Sequence, residues 1–171
     1  MRYSLVFVLF LFGFSAPAIS AEVIKRSIPN AQIVGEGRLT YAFWDVYDAT
    51  LYAPSGALKQ NKPFALSLRY MREIKGEDIA DRSVQEIRKQ GFSNEESLAI
   101  WHEQMKAIFP DVQDGTVLSA VFIPNQKTIF YHDNQPIGTI QDGEFTRLFS
   151  NIWLSEKTSE PELRKELLGL L

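Results

Sequence analysis

The feature that most constrains this chain is how its apolar period changes along the sequence: two, then between three and four, then two, then between three and four again. Phe64, Leu66, Leu68 and Tyr70 alternate against Ala65, Ser67, Arg69 and Met71, the pattern of a strand with two unlike faces. Trp44 to Ala53 alternates likewise and is closed by Pro54-Ser55-Gly56, while Ala31 to Tyr41 reads as the strand before it. Ile79, Ser83, Val84 and Ile87 then recur at helical spacing behind the acidic start Gly76-Glu77-Asp78, with Gly91 where a left-handed residue ends a helix. Ser93-Asn94-Glu95-Glu96 reads as a capping box for a second helix, whose stripe of Leu98, Trp101, Met105 and Ile108 stops before Pro110. Period two returns in Val117 to Ile123, Thr128 to His132 and Pro136 to Ile140, joined by links of hairpin length that make an antiparallel meander. Phe145, Leu148, Phe149 and Ile152 predict a third helix. Ser159-Glu160-Pro161-Glu162 opens a fourth, with Gly169 beyond its end. This order predicts an α+β domain, an antiparallel sheet of about six or seven strands with helices packed on one face.

Composition narrows the function. Over 171 residues, 18 Lys and Arg stand against 21 Asp and Glu, a net charge of −3. Such a chain lacks the basic face that phosphate backbones demand, so nucleic acid is not an expected partner. The absence of cysteine removes disulfides, thiolate zinc sites, cysteine nucleophiles and the acylated cysteine of a lipoprotein. Arg2, the apolar run Leu5 to Phe14 and the small residues from Ser15 to Ala21 read as a signal peptide over residues 1–21. Cuts after Ala18, Ser20 or Ala21 all fit, and Ala21 is preferred. Residues 22–171 then form the mature domain, periplasmic or secreted, with no membrane span after signal removal.

The search for catalytic motifs is mostly empty. His102 and His132 are far apart in sequence and neither has a second histidine at ligand spacing, so no metal site is expected and both read as solvated side chains. Gly35-Glu36-Gly37 resembles the start of a dinucleotide loop, but Thr40 stands at the third glycine position and a strand follows instead of a helix. Glu77-Asp78 and Glu95-Glu96 are explained by capping. No pattern implies a cofactor, and no residue is assigned as catalytic.

One constellation remains: Gly35-Glu36-Gly37-Arg38, followed by Asp45-Val46-Tyr47-Asp48-Ala49-Thr50-Leu51-Tyr52. It resembles the chalcone-isomerase-like domain. Leu68 to Gly76, Asn134 to Ile140 and Phe149 to Leu154 with Ser159-Glu160-Pro161 resemble three further pieces of that family, in the same order. The likeness covers nearly all of residues 31–169. It implies an open-faced sandwich, in agreement with the order of elements read above. It also implies two function classes. In the plant isomerases the tyrosine that opens the first helix falls on Ile79 here, an asparagine on Glu86 and an early threonine on Tyr47. Ile79 offers no hydrogen bond, so the chain departs from the enzymes there. In a branch that binds fatty acids, an arginine and a tyrosine hold the ligand carboxylate, and they fall on Arg38 and Tyr47.

The ligand-binding residues expected from this resemblance are Arg38 and Tyr47, with a fatty acid or similar small apolar acid as partner and its tail among Phe64, Leu66, Leu68, Val84, Ile87 and Trp101. A buried guanidinium needs such an anion, and its planar fork suits a carboxylate. On the residues alone, Arg38 pairs equally well with Glu36, Asp45 or Asp48 across a hairpin, with Tyr47 a core aromatic. Arg69, Tyr70 and Arg72 read as sheet-surface ion pairing. An isomerase of the intramolecular lyase type, with Arg38 stabilising an oxyanion, is the first alternative. An envelope domain docking an unknown protein partner through an exposed apolar patch is the second.

Overall fold

The computed structural model describes residues 19–59 and 61–171. The signal-peptide reading falls outside them except for residues 19–21, which begin helix α1 (Ile19–Ser27). Six strands follow: β1 (Ala31–Tyr41), β2 (Trp44–Pro54), β3 (Phe64–Tyr70), β4 (Val117–Ile123), β5 (Lys127–His132) and β6 (Gln135–Ile140). They pair antiparallel in chain order, a six-stranded meander. Helices α2 (Gly76–Lys89) and α3 (Glu95–Ile108) interrupt it after β3, and α4 (Gly143–Leu154) and α5 (Pro161–Leu167) follow it. The architecture is the α+β open-faced sandwich that the sequence predicted.

The helix ends obey local chemistry. Asn94 caps α3 by accepting from the Ser97 amide at 3.1 Å, so the cap lies one residue later than Ser93. Asp142 caps α4 with one oxygen and accepts the Trp101 indole N–H with the other at 3.0 Å, tying α4 to α3. Gly91 and Gly169 take positive φ beyond α2 and α5.

Layering differs from expectation in one respect. Helices α2 to α5 cover one face, where Leu51, Leu66, Phe122, Phe145 and Phe149 form the main core. Helix α1 packs on the other face, burying Ile24 and Ile28 against Ala65 and Val121. There the Ser67 and Ser119 hydroxyls pair at 3.0 Å, which is how two buried polar groups are satisfied. A cut after Ala21 leaves both isoleucines on the chain.

The glycines of Gly35-Glu36-Gly37 have a packing role and make no phosphate loop. A Cβ at Gly35 would lie 2.2 Å from the Glu166 carbonyl oxygen, and one at Gly37 would lie 2.7 Å from Leu163 Cδ1. Their bare backbone is what lets α5 lie against β1. Glu36, between them, faces the opposite side and accepts from the Thr50 hydroxyl at 3.0 Å.

Candidate functional site

Strand parity decides which side chains reach the interior, and an irregularity at Val46 sets that parity in β2. Leu39 pairs with Tyr47 and Thr40 with Asp45, so Val46 is an extra residue on β2. Val46 and Tyr47 consequently both face the helices, and Asp45 and Asp48 both face away.

Arg38 lies opposite Asp48 and on the same outer side. Its Nε donates to Asp48 Oδ1 at 2.6 Å, its Nη2 to Asp48 Oδ2 at 3.1 Å and its Nη1 to Asp45 Oδ2 at 2.9 Å. Close to half of each of these side chains is exposed. The expectation that Arg38 and Tyr47 converge on one carboxylate is therefore corrected: they stand on opposite faces of the sheet. The β1 residue that shares Tyr47's face is Leu39, one position along. Arg38 is equally excluded from stabilising an oxyanion inside.

Between the sheet and the helices lies a cavity of about 660 Å³. Leu66, Leu68, Phe130 and Phe149 supply apolar wall, with Leu39, Val46, Ile79 and Ile152 nearer its edges. Tyr47 and Tyr70, cross-strand partners on β2 and β3, meet edge to face with ring centroids 5.7 Å apart. Both are buried, and both line the cavity. The Trp153 indole N–H donates to the Tyr47 hydroxyl oxygen at 3.0 Å, leaving the phenolic hydrogen free. Among the described residues no hydrogen bond reaches the Tyr70 hydroxyl, which is only 3% exposed as a residue. Burial pushes both phenols well above their ordinary range, so each is a neutral donor.

The charged groups of the cavity are Arg72, Glu73, Lys75, Asp78, Arg82, Glu86 and Glu160. Glu86 is the buried one. It accepts from Ser159 Oγ at 2.5 Å and Lys89 Nζ at 3.0 Å, and pairs with Arg82 Nη2 at 2.8 Å. Burial raises its carboxyl, but these hydrogen bonds and the two cations outweigh that and hold it below the usual range. Glu160 goes the other way: burial pushes it up, Arg82 draws it back and Glu86 adds to the rise.

Other expected residues are placed as follows. Leu66 and Leu68 line the cavity, while Val84, Ile87 and Trp101 pack in the core away from it. Phe64 stacks on Phe122. The three positions matched to the plant isomerases, Tyr47, Ile79 and Glu86, all line the cavity. Tyr70, read from sequence with its charged neighbours, belongs to the site and not to a surface ion pair. His102 is half-buried, not solvated, with Nε2 2.5 Å from Asp81 Oδ1, a contact between α3 and α2. At the β1–β2 tip, Tyr41, Phe43 and Trp44 are 65%, 100% and 65% exposed, and the Arg72 guanidinium lies 5.4 Å from the Trp44 ring centre.

Comparison with known proteins gives the geometry a relationship. The chain is similar to an uncharacterized protein of Haemophilus influenzae, 26% identical over 145 residues, which covers 81% of this chain and 68% of that one. Its fold is similar to the crystal structure of a fatty-acid binding protein of Arabidopsis thaliana. That match has a TM-score of 0.63 at 13% identity and covers 82% of this chain and 87% of the other. The sequence profile described as chalcone isomerase-like matches residues 29–169. With that match and the open-faced sandwich in hand, the chain belongs to the chalcone isomerase-like family.

Proposed function

We propose that this protein is a binder of small apolar molecules, a fatty acid or a related acyl compound, held in the cavity between sheet and helices. The observation that carries the reading is the cavity itself, about 660 Å³ of largely apolar space with two buried phenols on its wall. Pockets for small molecules run to about 300–1,000 Å³ and combine apolar walls with few polar groups. At about 0.8 kcal/mol per methylene, a ten-methylene tail gains roughly 8 kcal/mol before ordering costs. The Arabidopsis protein of similar fold is named for binding fatty acids, which supports the same class of ligand. Tyr47 is the hydroxyl donor of this reading, and Arg38 has no part in it. Arg2, the apolar run to Phe14 and the small residues up to Ala21 support export, which would place the binder in the periplasm or outside the cell.

Solvent extraction of the purified mature protein, followed by mass spectrometry, tests the reading. An acyl compound near one per chain is expected. Empty extracts from several expression conditions, together with no uptake of added acyl compounds, contradict it.

A second reading rests on the exposed Tyr41, Phe43 and Trp44, which give a protein partner an aromatic surface of the kind that anchors interfaces. Phe43→Ser should abolish capture of that partner from an envelope extract while leaving acyl binding intact; retained capture removes this reading.

A further inference from the structure

Among the described residues the buried part of the cavity lining offers neutral hydrogen-bond donors and no cation, and this bears on what sort of head group it takes. Resting on the reading of the cavity as an acyl-binding site, we infer that Tyr47 and Tyr70 recognise an uncharged carbonyl oxygen, as in an ester, ketone or protonated acid, and not a carboxylate anion.

Three observations converge on this. Tyr70 is a buried phenol on the cavity wall with no hydrogen-bond partner among the described residues. The Tyr70 hydroxyl is not one of the fully enclosed unpaired polar atoms, so it opens onto the cavity, where its donor is available to an acceptor held there. Tyr47 is oriented by Trp153, which uses the phenol oxygen as acceptor and so leaves its O–H to donate. Two neutral donors beside one another, on adjacent strands and in one register, match the two lone pairs of a single carbonyl oxygen.

The charges argue against an anion. The cavity's cations, Arg72, Lys75 and Arg82, all stand at its exposed rim. Lys75 bonds Asp111 at 2.7 Å, Arg82 bonds Glu86 at 2.8 Å and Arg72 sits over Trp44. At the rim these three cations meet Glu73, Asp78 and the half-buried Glu160, so the rim carries no net positive charge, and the buried Glu86 adds a negative one behind it. The β1 position that faces Tyr47 is Leu39, which contributes no charge. A carboxylate drawn down to the phenols would lose its hydration without gaining a counter-ion, a cost that a neutral carbonyl avoids.

The test compares decanoate, methyl decanoate and decane by equilibrium dialysis against the mature protein, at a pH well above the carboxylate range. The ester is expected to bind at least about tenfold more tightly than the carboxylate. Tyr70→Phe, which keeps the ring and its packing, should weaken the ester by roughly five- to tenfold and leave decane unchanged, as loss of one neutral hydrogen bond dictates. Thermal unfolding of the variant reports that the fold is kept. Decanoate binding as tightly as the ester overturns the inference while leaving the acyl-binding reading in place. Ester affinity untouched by both Tyr70→Phe and Tyr47→Phe overturns it too. Failure of all three probes to bind removes the reading of the cavity and the inference with it.

Discussion

Two faces of the same strand pair solve opposite electrostatic problems. On the outer face of β1 and β2, Arg38 is gripped by Asp45 and Asp48 in a three-bond cluster that stays wet. On the inner face, a residue away, Leu39 and Val46 flank Tyr47, whose only polar atom is held by Trp153. The contrast shows where each kind of group can be kept. A guanidinium between two carboxylates balances itself at the surface and adds little to stability, because water screens it. A neutral hydroxyl can be taken inside at modest cost if one neighbour fixes it, and it then keeps a donor for something else. One irregular residue, Val46, decides which side chain goes where.

The largest effects should come from the inner face. Phe145 is fully buried and stacks on Phe149 with ring centres 5.1 Å apart. Phe145→Ala should cost about 3–5 kcal/mol in equilibrium denaturation; a cost near that of a surface change would mean that the core is not where the sheet and helices meet. Next comes the seam between β1 and α5. Gly35→Ala sets a methyl 2.2 Å from a carbonyl oxygen, and a loss of about 1–3 kcal/mol with faster amide exchange in α5 is expected. Tyr47→Phe strands the Trp153 indole N–H and should cost about 1–2 kcal/mol. The same loss from Arg38→Ala would erase the contrast between the faces.

Glu86 gives the comparison a pH axis. Its folded carboxyl lies below the ordinary value of about 4.5, so its stabilising contribution is complete above that pH and is lost as the pH falls through the lower folded value. Wild type should therefore lose stability across that acidic window, and Glu86→Gln should flatten this limb in urea titrations run from neutral to acidic pH. An unchanged slope would mean that the bonds from Ser159, Lys89 and Arg82 do not favour the ionised form. Smallest of all is Arg38→Ala, which should leave denaturation midpoints close to wild type, because water screens the exposed cluster, and should leave acyl uptake unchanged.

The fold was legible because period two and the helical period alternate in long runs, and the caps and glycines stand at their ends. The parity of β1 was not legible. Its inward positions beside Leu39 are Gly35 and Gly37, which carry no side chain to betray a buried face, and an irregularity between Ile33 and Gly35 shifts the register again. A carboxylate-binding pair was read across a parity that the sequence does not display. Tyr70 is the opposite case. The alternation of Phe64, Leu66, Leu68 and Tyr70 already placed it inside, and its neighbours Arg69 and Arg72 drew attention to the wrong face. Helix α1 was hidden because the leader reading claimed its first residues and left the rest unassigned. The cavity was hidden for a different reason. Val84, Ile87 and Trp101 have the right stripe for a lining, yet α2, α3 and α4 turn them against one another.

The most direct measurement places one added ring on the inner face and compares it with one deletion on the outer face. Ala120 lines the cavity from β4, so Ala120→Phe fills it from the sheet side. Dialysis with methyl decanoate should show uptake lost in Ala120→Phe and unchanged in Arg38→Ala, with both variants still folded by circular dichroism. Uptake that survives the filled cavity, or disappears with Arg38, contradicts the account.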